Sequence, residues 1–200
     1  AATSYPQYRG HDVMTDCPIT GGATFEESTG FQLSTFDNVV GNDSYIRARD
    51  LIAHRFQMRW HKFTRSDVYE LRQWLHSRKG RQKAFWLSSY AKDLTPAQAI
   101  SGTTVTVYND VLARPAPYDI EIVGVNTHRV QVTSTAAGST VNGRPTVDLT
   151  IDSSVTEGLD NIQRISYLMC SRFDADRMEL EHNAAGGTVV SMPCREIPVP

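Results

Sequence analysis

Residues 54–87 read HRFQMRWHKFTRSDVYELRQWLHSRKGRQKAFWL, and within them the apolar pattern changes period twice. From Ile52 the even positions are Ile52, His54, Phe56, Met58 and Trp60, with Arg55, Gln57, Arg59 and His61 between them. Period-two alternation sends one set of side chains to a buried face and the other to an open one. It predicts a half-buried strand whose outer face is cationic. Thr64-Arg65-Ser66-Asp67 ends the alternation. Ser66 is placed to accept from a free amide at a helix start, and Asp67 and Glu70 put negative charge in the first turn, where the helix dipole favours it. Val68, Leu71 and Leu75, with Trp74 beside them, recur at helical spacing, which predicts a helix over 66–80 packed by that stripe on a sheet. Arg78 and Lys79 fall in its last turn, and Gly80 is expected to take the left-handed cap. Ala84-Phe85-Trp86-Leu87 then reads as a short apolar strand. Phe56, Trp60, Leu71, Trp74, Leu75 and Trp86 are the expected core.

Outward from this stretch the chain looks almost entirely β. In the first forty residues Gly10, Pro18, Gly21, Gly22 and Gly30 interrupt every apolar run, and segments such as Phe31-Gln32-Leu33-Ser34 suit strands rather than helices. Composition changes after Thr95-Pro96: residues 97–160 are rich in Thr, Val, Ser and Gly and contain no Lys, Trp or Phe. Strands are predicted there over 103–108, 118–125, 129–134 and 146–151, separated by Pro-, Gly- and Asn-bearing turns. Residues 164–173 return to heavier alternation (Ile165, Tyr167, Met169 and Phe173). Asp174-Ala175-Asp176 turns into Met178, Leu180 and His182, and a last strand follows Gly186-Gly187. The expected fold class is therefore mainly β, a barrel or sandwich with one packed α-helix plus a small all-β insertion. Its parts are a β domain over 1–95 containing the helix, an all-β insertion or second module over 96–160, and closing strands over 161–200.

The 200 residues carry 20 Lys and Arg against 22 Asp and Glu, with 40% apolar and 21% charged residues. A chain of this length buries roughly 70% of its unfolded surface, and the composition is too apolar for disorder. No run of 18 apolar residues occurs, so a spanning helix is not expected. Ala1-Ala2-Thr3-Ser4-Tyr5-Pro6 lacks the basic start and apolar centre of a secretion signal, so synthesis in a cytosol is expected, after loss of an initiator Met or a longer leader. Charge is segregated. Residues 47–83 hold eleven Lys or Arg and three acids, a balance of +8, against −10 elsewhere. Such a patch suits phosphate neutralisation on nucleic acid, a solvated face, or complementary contacts with an acidic surface of another chain. Phe56, Trp60, Trp74 and Trp86 would be needed for base stacking, but they fall on the parity or in the runs expected to be core.

Signatures of catalysis are missing. His11-Asp12 lacks further metal-ligating partners, and no GxSxG, HExxH or phosphate-cradling glycine loop occurs. Cys17, Cys170 and Cys194 have no zinc spacing and read as small apolar thiols. Asp174 and Asp176 read as a solvated hairpin tip, and Glu179 and Glu181 as the outer face of a strand. No enzyme, metal or cofactor is expected. A carbohydrate- or receptor-binding β module, using Tyr108 and Tyr118 of the insertion, stays open beside a structural role and a basic nucleic-acid-binding one.

The strand over 52–60, the Thr/Ser/Asp break, the helix carrying Leu71, Trp74 and Leu75, Gly80 and the Phe85-Trp86 strand together resemble tail-tip proteins of long-tailed bacteriophages. They are similar to the family of distal tail proteins and lambda minor tail protein M. Residues 164–173 and 178–182 resemble the end of the same belt-type domain. Residues 97–160 have no counterpart in the shorter members, and the acidic, Gly-rich signature of some relatives is present only as Gly41-Asn42-Asp43-Ser44. The resemblance implies a virion protein of the tail tip, made in the host cytoplasm. It implies a homo-oligomeric ring, hexameric in this family, whose sheet edges join between subunits. Neighbours would be the tail tube protein, hub or baseplate proteins and the tape measure protein, with DNA met only in transit and no membrane. Arg55, Arg59, Arg78, Lys79, Arg81 and Lys83 would then carry interface or lumen charge.

Overall fold

A computed structural model describes residues 4–18, 27–30, 33–36, 44–47, 53–110, 114–177, 179–183 and 187–199. Ile52, Gly21, Gly22, residues 31–32 and 41–43, Arg49, Asp50, Met178 and Gly186 lie outside the described residues. The strands are β1 (Gln7–Tyr8), β2 (His11–Met14), β3 (Glu27–Gly30), β4 (Leu33–Phe36), β5 (Ser44–Arg47) and β6 (Ala53–Lys62), followed by helix α1 (Arg65–Arg78) and β7 (Phe85–Ser88). Then come β8 (Ile100–Tyr108), β9 (Tyr118–Val123), β10 (Thr127–Ala137), β11 (Thr146–Glu157), β12 (Arg164–Phe173), β13 (Glu179–Asn183) and β14 (Gly187–Glu196). The protein is mainly β with one packed α-helix. Two compact units divide it, residues 1–85 with 170–200 and residues 86–169, so the second is wider on both sides than the 96–160 stretch marked by composition.

Unit 1 is organised around β6 and β14, antiparallel from Thr188 opposite Lys62 to Arg195 opposite Arg55. The alternation read in the sequence is present: Phe56, Met58 and Trp60 are buried, whereas Arg55, Gln57 and Arg59 are exposed. On its other side β14 pairs first with β13 and then with the end of β12, and β6 pairs with β3. Near the N-terminus a tight hairpin joins β1 to β2. Both of its central residues, Arg9 (φ 43°) and Gly10 (φ 79°), take positive φ, as the turn whose twist matches paired strands requires.

Helix α1 buries Val68, Leu71, Trp74, Leu75 and Arg78. Its cap differs from the expectation. Thr64, not Ser66, adopts the extended N-cap conformation, and its hydroxyl accepts from the Asp67 N–H at 3.1 Å. That places Asp67 at the third helical position, where an orphan amide needs a partner. At the other end Lys79 (φ 52°) is the left-handed cap residue, one position before the glycine expected there, and Gly80 (φ 60°) extends the turn. Glycine is required at 80 because a Cβ there would lie 2.5 Å from Asp176 Oδ1. That oxygen accepts the Arg81 N–H at 3.0 Å, so the turn at 174–176 docks on the chain leaving the helix and is not merely a solvated tip.

Unit 2 has the strand order β12-β9-β10-β11-β8, all antiparallel. Its two outer strands are both held by the segment 89–97. On one side Ser89 N–H donates to Tyr167 O (2.9 Å), and Asp93 and Leu94 N–H donate to Ile165 O (3.0 and 3.1 Å). On the other, Ala97 N–H donates to Thr106 O and Tyr108 N–H to Thr95 O, both at 2.9 Å. The five strands thereby curl into a half-barrel around Ile120, Ile122, Val130, Val132, Leu149 and Ile165, with this segment bridging its edges. Register shifts in the β10–β11 and β11–β8 pairs supply the bends that this curling needs. They also explain why β11 outruns the expected 146–151: Asp152, Ser153 and Ser154 are exposed, and burial resumes at Val155 and Glu157. The Glu157 carboxylate accepts the Asn126 and Val125 N–H groups (3.0 and 3.3 Å) and meets His128 Nε2 at 3.2 Å, tying down the β9–β10 turn. Chiefly through the Asn126 amide, and against the opposing effect of burial, its acidity is strengthened.

Trp74 is 5% exposed, with its ring edge-on to Tyr5 at 4.7 Å and to Phe85 at 5.8 Å. Trp74→Ala is expected to cost about 3–5 kcal/mol, read as a lowered urea midpoint. An unchanged midpoint would remove the helix from the core of unit 1.

Candidate functional site

The cationic face is built by strand alternation. On β6, Arg55, Gln57 and Arg59 are exposed and His61 is half-buried against the exposed Phe63, ring to ring at 4.4 Å. Gln57 Nε2 donates to Ser191 Oγ at 2.7 Å, fixing one side chain of the face to β14. Two further cations continue it. Arg195 of β14 stands opposite Arg55, and Arg172 of β12 stands opposite Arg195. The sequence reading missed both, since they are distant in the chain and lie outside the basic stretch. Their own parity was the available signal: in β14 residues 188, 190, 192 and 194 are buried, which turns Arg195 outward. Asp174 serves this face as well, with Oδ2 3.8 Å from Arg55 Nε and Oδ1 3.9 Å from Arg195 Nε.

Arg78 corrects the expectation that it carries interface or lumen charge, because it is only 2% exposed. Its Nη2 donates to Asp12 Oδ2 and its Nε donates to Ser77 Oγ at 3.0 Å. The guanidinium lies 4.4 Å over the Trp74 ring and 5.8 Å from that of Tyr5. It sits in the last turn of α1, where the dipole favours a cation. Burial alone would raise the Asp12 pKa. The hydrogen bonds from Arg78 and from Gln7, then the charges of Arg78 and Lys83, outweigh it and hold the carboxyl below its ordinary value. The His11-Asp12 pair therefore supplies a structural carboxylate.

Lys79, Arg81 and Lys83 are exposed. Arg81 Nε is 3.6 Å from Asp176 Oδ2, and the Lys83 N–H donates to Arg78 O at 3.1 Å. Beside them a shallow cleft of about 340 Å³ has Leu75, Phe173 and Met192 as its apolar lining and His76, Lys79 and Asp176 as its polar one. The six aromatic and aliphatic residues expected as core are all buried, with Trp60 and Trp86 at 0% exposure, so none is free to stack on a base.

Among the described residues no group of three or more His, Cys, Asp or Glu side chains is arranged to hold a metal ion, and no helix is long and apolar enough to cross a membrane. Cys170 and Cys194 are buried thiols, whereas Cys17 is exposed, against the expectation of three apolar thiols. Of the two tyrosines considered for sugar binding, Tyr118 is in the barrel core, where burial pushes its hydroxyl up to about 12. The Tyr108 ring is covered by the Arg144 guanidinium at 4.1 Å.

Removing Asp12 strands a buried cation. Asp12→Ala is expected to destabilise the protein by about 3–5 kcal/mol, with much of the loss recovered in an Asp12→Leu/Arg78→Met double variant. Because the native Asp12 pKa is lowered, its contribution is complete above the unfolded carboxyl value and is lost as the pH falls through the native one. Urea midpoints measured across that acid range should show the wild type losing stability relative to the double variant.

No known protein-family profile matches the sequence of this chain, and no curated protein matches it either.

Proposed function

We propose that the chain is a non-enzymatic structural subunit of a bacteriophage tail tip. Copies of it close into a ring, hexameric by resemblance, between the tail tube and the hub or baseplate, in a virion component made in the host cytoplasm. The observation that carries this reading is a charged sheet face in the same unit as strands paired on one side. Among the described residues β3 pairs only with β6, and β13 only with β14. Unpaired strand edges invite another chain, and a ring satisfies them between subunits. The +8 balance of residues 47–83 against −10 elsewhere suits head-to-tail contacts between unlike surfaces. The exposed Arg55, Arg59, Lys79, Arg81 and Lys83 are the charges assigned to the interface or the lumen.

Burial of Phe56, Trp60, Trp74 and Trp86 weighs against a single-strand stacking platform. The positions of Tyr118 and Tyr108 weigh against a carbohydrate-binding face. Contact with DNA in transit would be electrostatic, weak and steeply dependent on salt.

Native mass measured over a concentration range tests the proposal. The expected result is a closed oligomer of six copies, alone or on addition of the tube protein, that dissociates as salt is raised. A monomer under all these conditions, or sub-micromolar DNA binding at physiological salt, would overturn it.

A further inference from the structure

Three arginines stand abreast on the outer face of unit 1: Arg55 on β6, Arg195 on β14 and Arg172 on β12. Directly opposed residues of antiparallel neighbours project from one face with Cβ atoms about 5 Å apart, where like charges repel. Among the described residues, one carboxylate, Asp174, is paired with two of the three cations. Asp174 lies 3.8 Å from Arg55 Nε and 3.9 Å from Arg195 Nε, both beyond a hydrogen bond. The Nε atoms of Arg172 and Arg195 are buried, and among the described residues they have no hydrogen-bond partner. A buried donor without an acceptor is costly, and three cations against one anion leave the row short of negative charge.

Negative charge brought from outside would offset the second deficit, entering the row at Arg55, whose side chain is 61% exposed. A carboxylate suits the row better than a phosphate. Its two coplanar oxygens match the guanidinium fork, and as a monoanion it approaches Asp174 against less repulsion than a phosphate dianion. We propose that the row Arg55–Arg195–Arg172 is a docking site for the side-chain carboxylates of an acidic protein segment. The row is complete within one chain, so the site does not depend on ring closure. Asp174 acts in it as an internal competitor that keeps two of the arginines apart from solvent anions until a better-placed carboxylate arrives.

Titration of the full chain at low salt with a tetraglutamate peptide tests this, with tetraglutamine, inorganic phosphate and a short DNA duplex as comparison probes. Tetraglutamate should bind and should perturb the arginine Nε–H resonances of the row, while tetraglutamine should not. Arg172→Gln should weaken the peptide about tenfold, the loss expected for a charged hydrogen bond. Arg72→Gln removes the same charge from the exposed face of α1 and should leave the affinity within about twofold. Should Arg172→Gln fail to fold, Asp174→Asn provides a second test and should tighten the peptide severalfold. Equal losses from Arg172→Gln and Arg72→Gln would overturn the proposal. So would an Asp174→Asn affinity that is unchanged or weaker, or tighter binding of phosphate or duplex than of tetraglutamate.

Discussion

Burying the Arg78 guanidinium takes a permanent cation out of water, and unit 1 tolerates this only where Asp12, Ser77 and the faces of Trp74 and Tyr5 converge. That requirement couples parts of the chain that are distant in sequence. The β1–β2 hairpin must hold Asp12 under the last turn of α1, which gives the tight turn at Arg9-Gly10 its importance. Asp16 extends the same tether: its carbonyl accepts from Trp60 Nε1 at 3.2 Å and its carboxylate from Lys62 Nζ at 2.6 Å. The N-terminal segment is thus fastened to the helix at one end and to β6 at the other. With the helix end fixed, Lys79 and Gly80 reverse the chain, and Asp176 closes over the turn.

The parts of this architecture legible in the sequence are those where one period dominates. The alternation around Phe56, Met58 and Trp60 and the stripe Val68–Leu71–Trp74–Leu75 each have one wet face and one dry face, so composition records orientation. In β9 and β12 that record fades. Tyr118, Asp119, Ile120, Glu121 and Ile122 are all buried, because Glu121 turns towards Arg129 and Arg164 (3.0 and 3.1 Å) on the face opposite the barrel core. Arg78 was misread for a related reason. Its charge alone suggests a surface, and only the three-dimensional meeting with Asp12 reverses the inference. Arg172 and Arg195 were missed because a row across a sheet has no signature along the chain.

Among the described residues, exposed cations gather on a sheet face of unit 1, and several carboxylates hold the fold. Asp12 restrains a helix end, Glu157 a turn and Glu121 a trio of strands. On unit 1, β6, β14 and β12 bring three arginines together from three regions of the sequence.

Bridging of the half-barrel's edges has an evolutionary consequence. Ser89 and Tyr167 are hydrogen-bonded to each other, so the polypeptide enters and leaves residues 86–169 side by side. Adjoining ends let a segment be acquired, deleted or exchanged without stretching the host structure around it. The half-barrel's adjoining ends have the geometry of a cassette, and the pair Arg78–Asp12 lies wholly in the other unit.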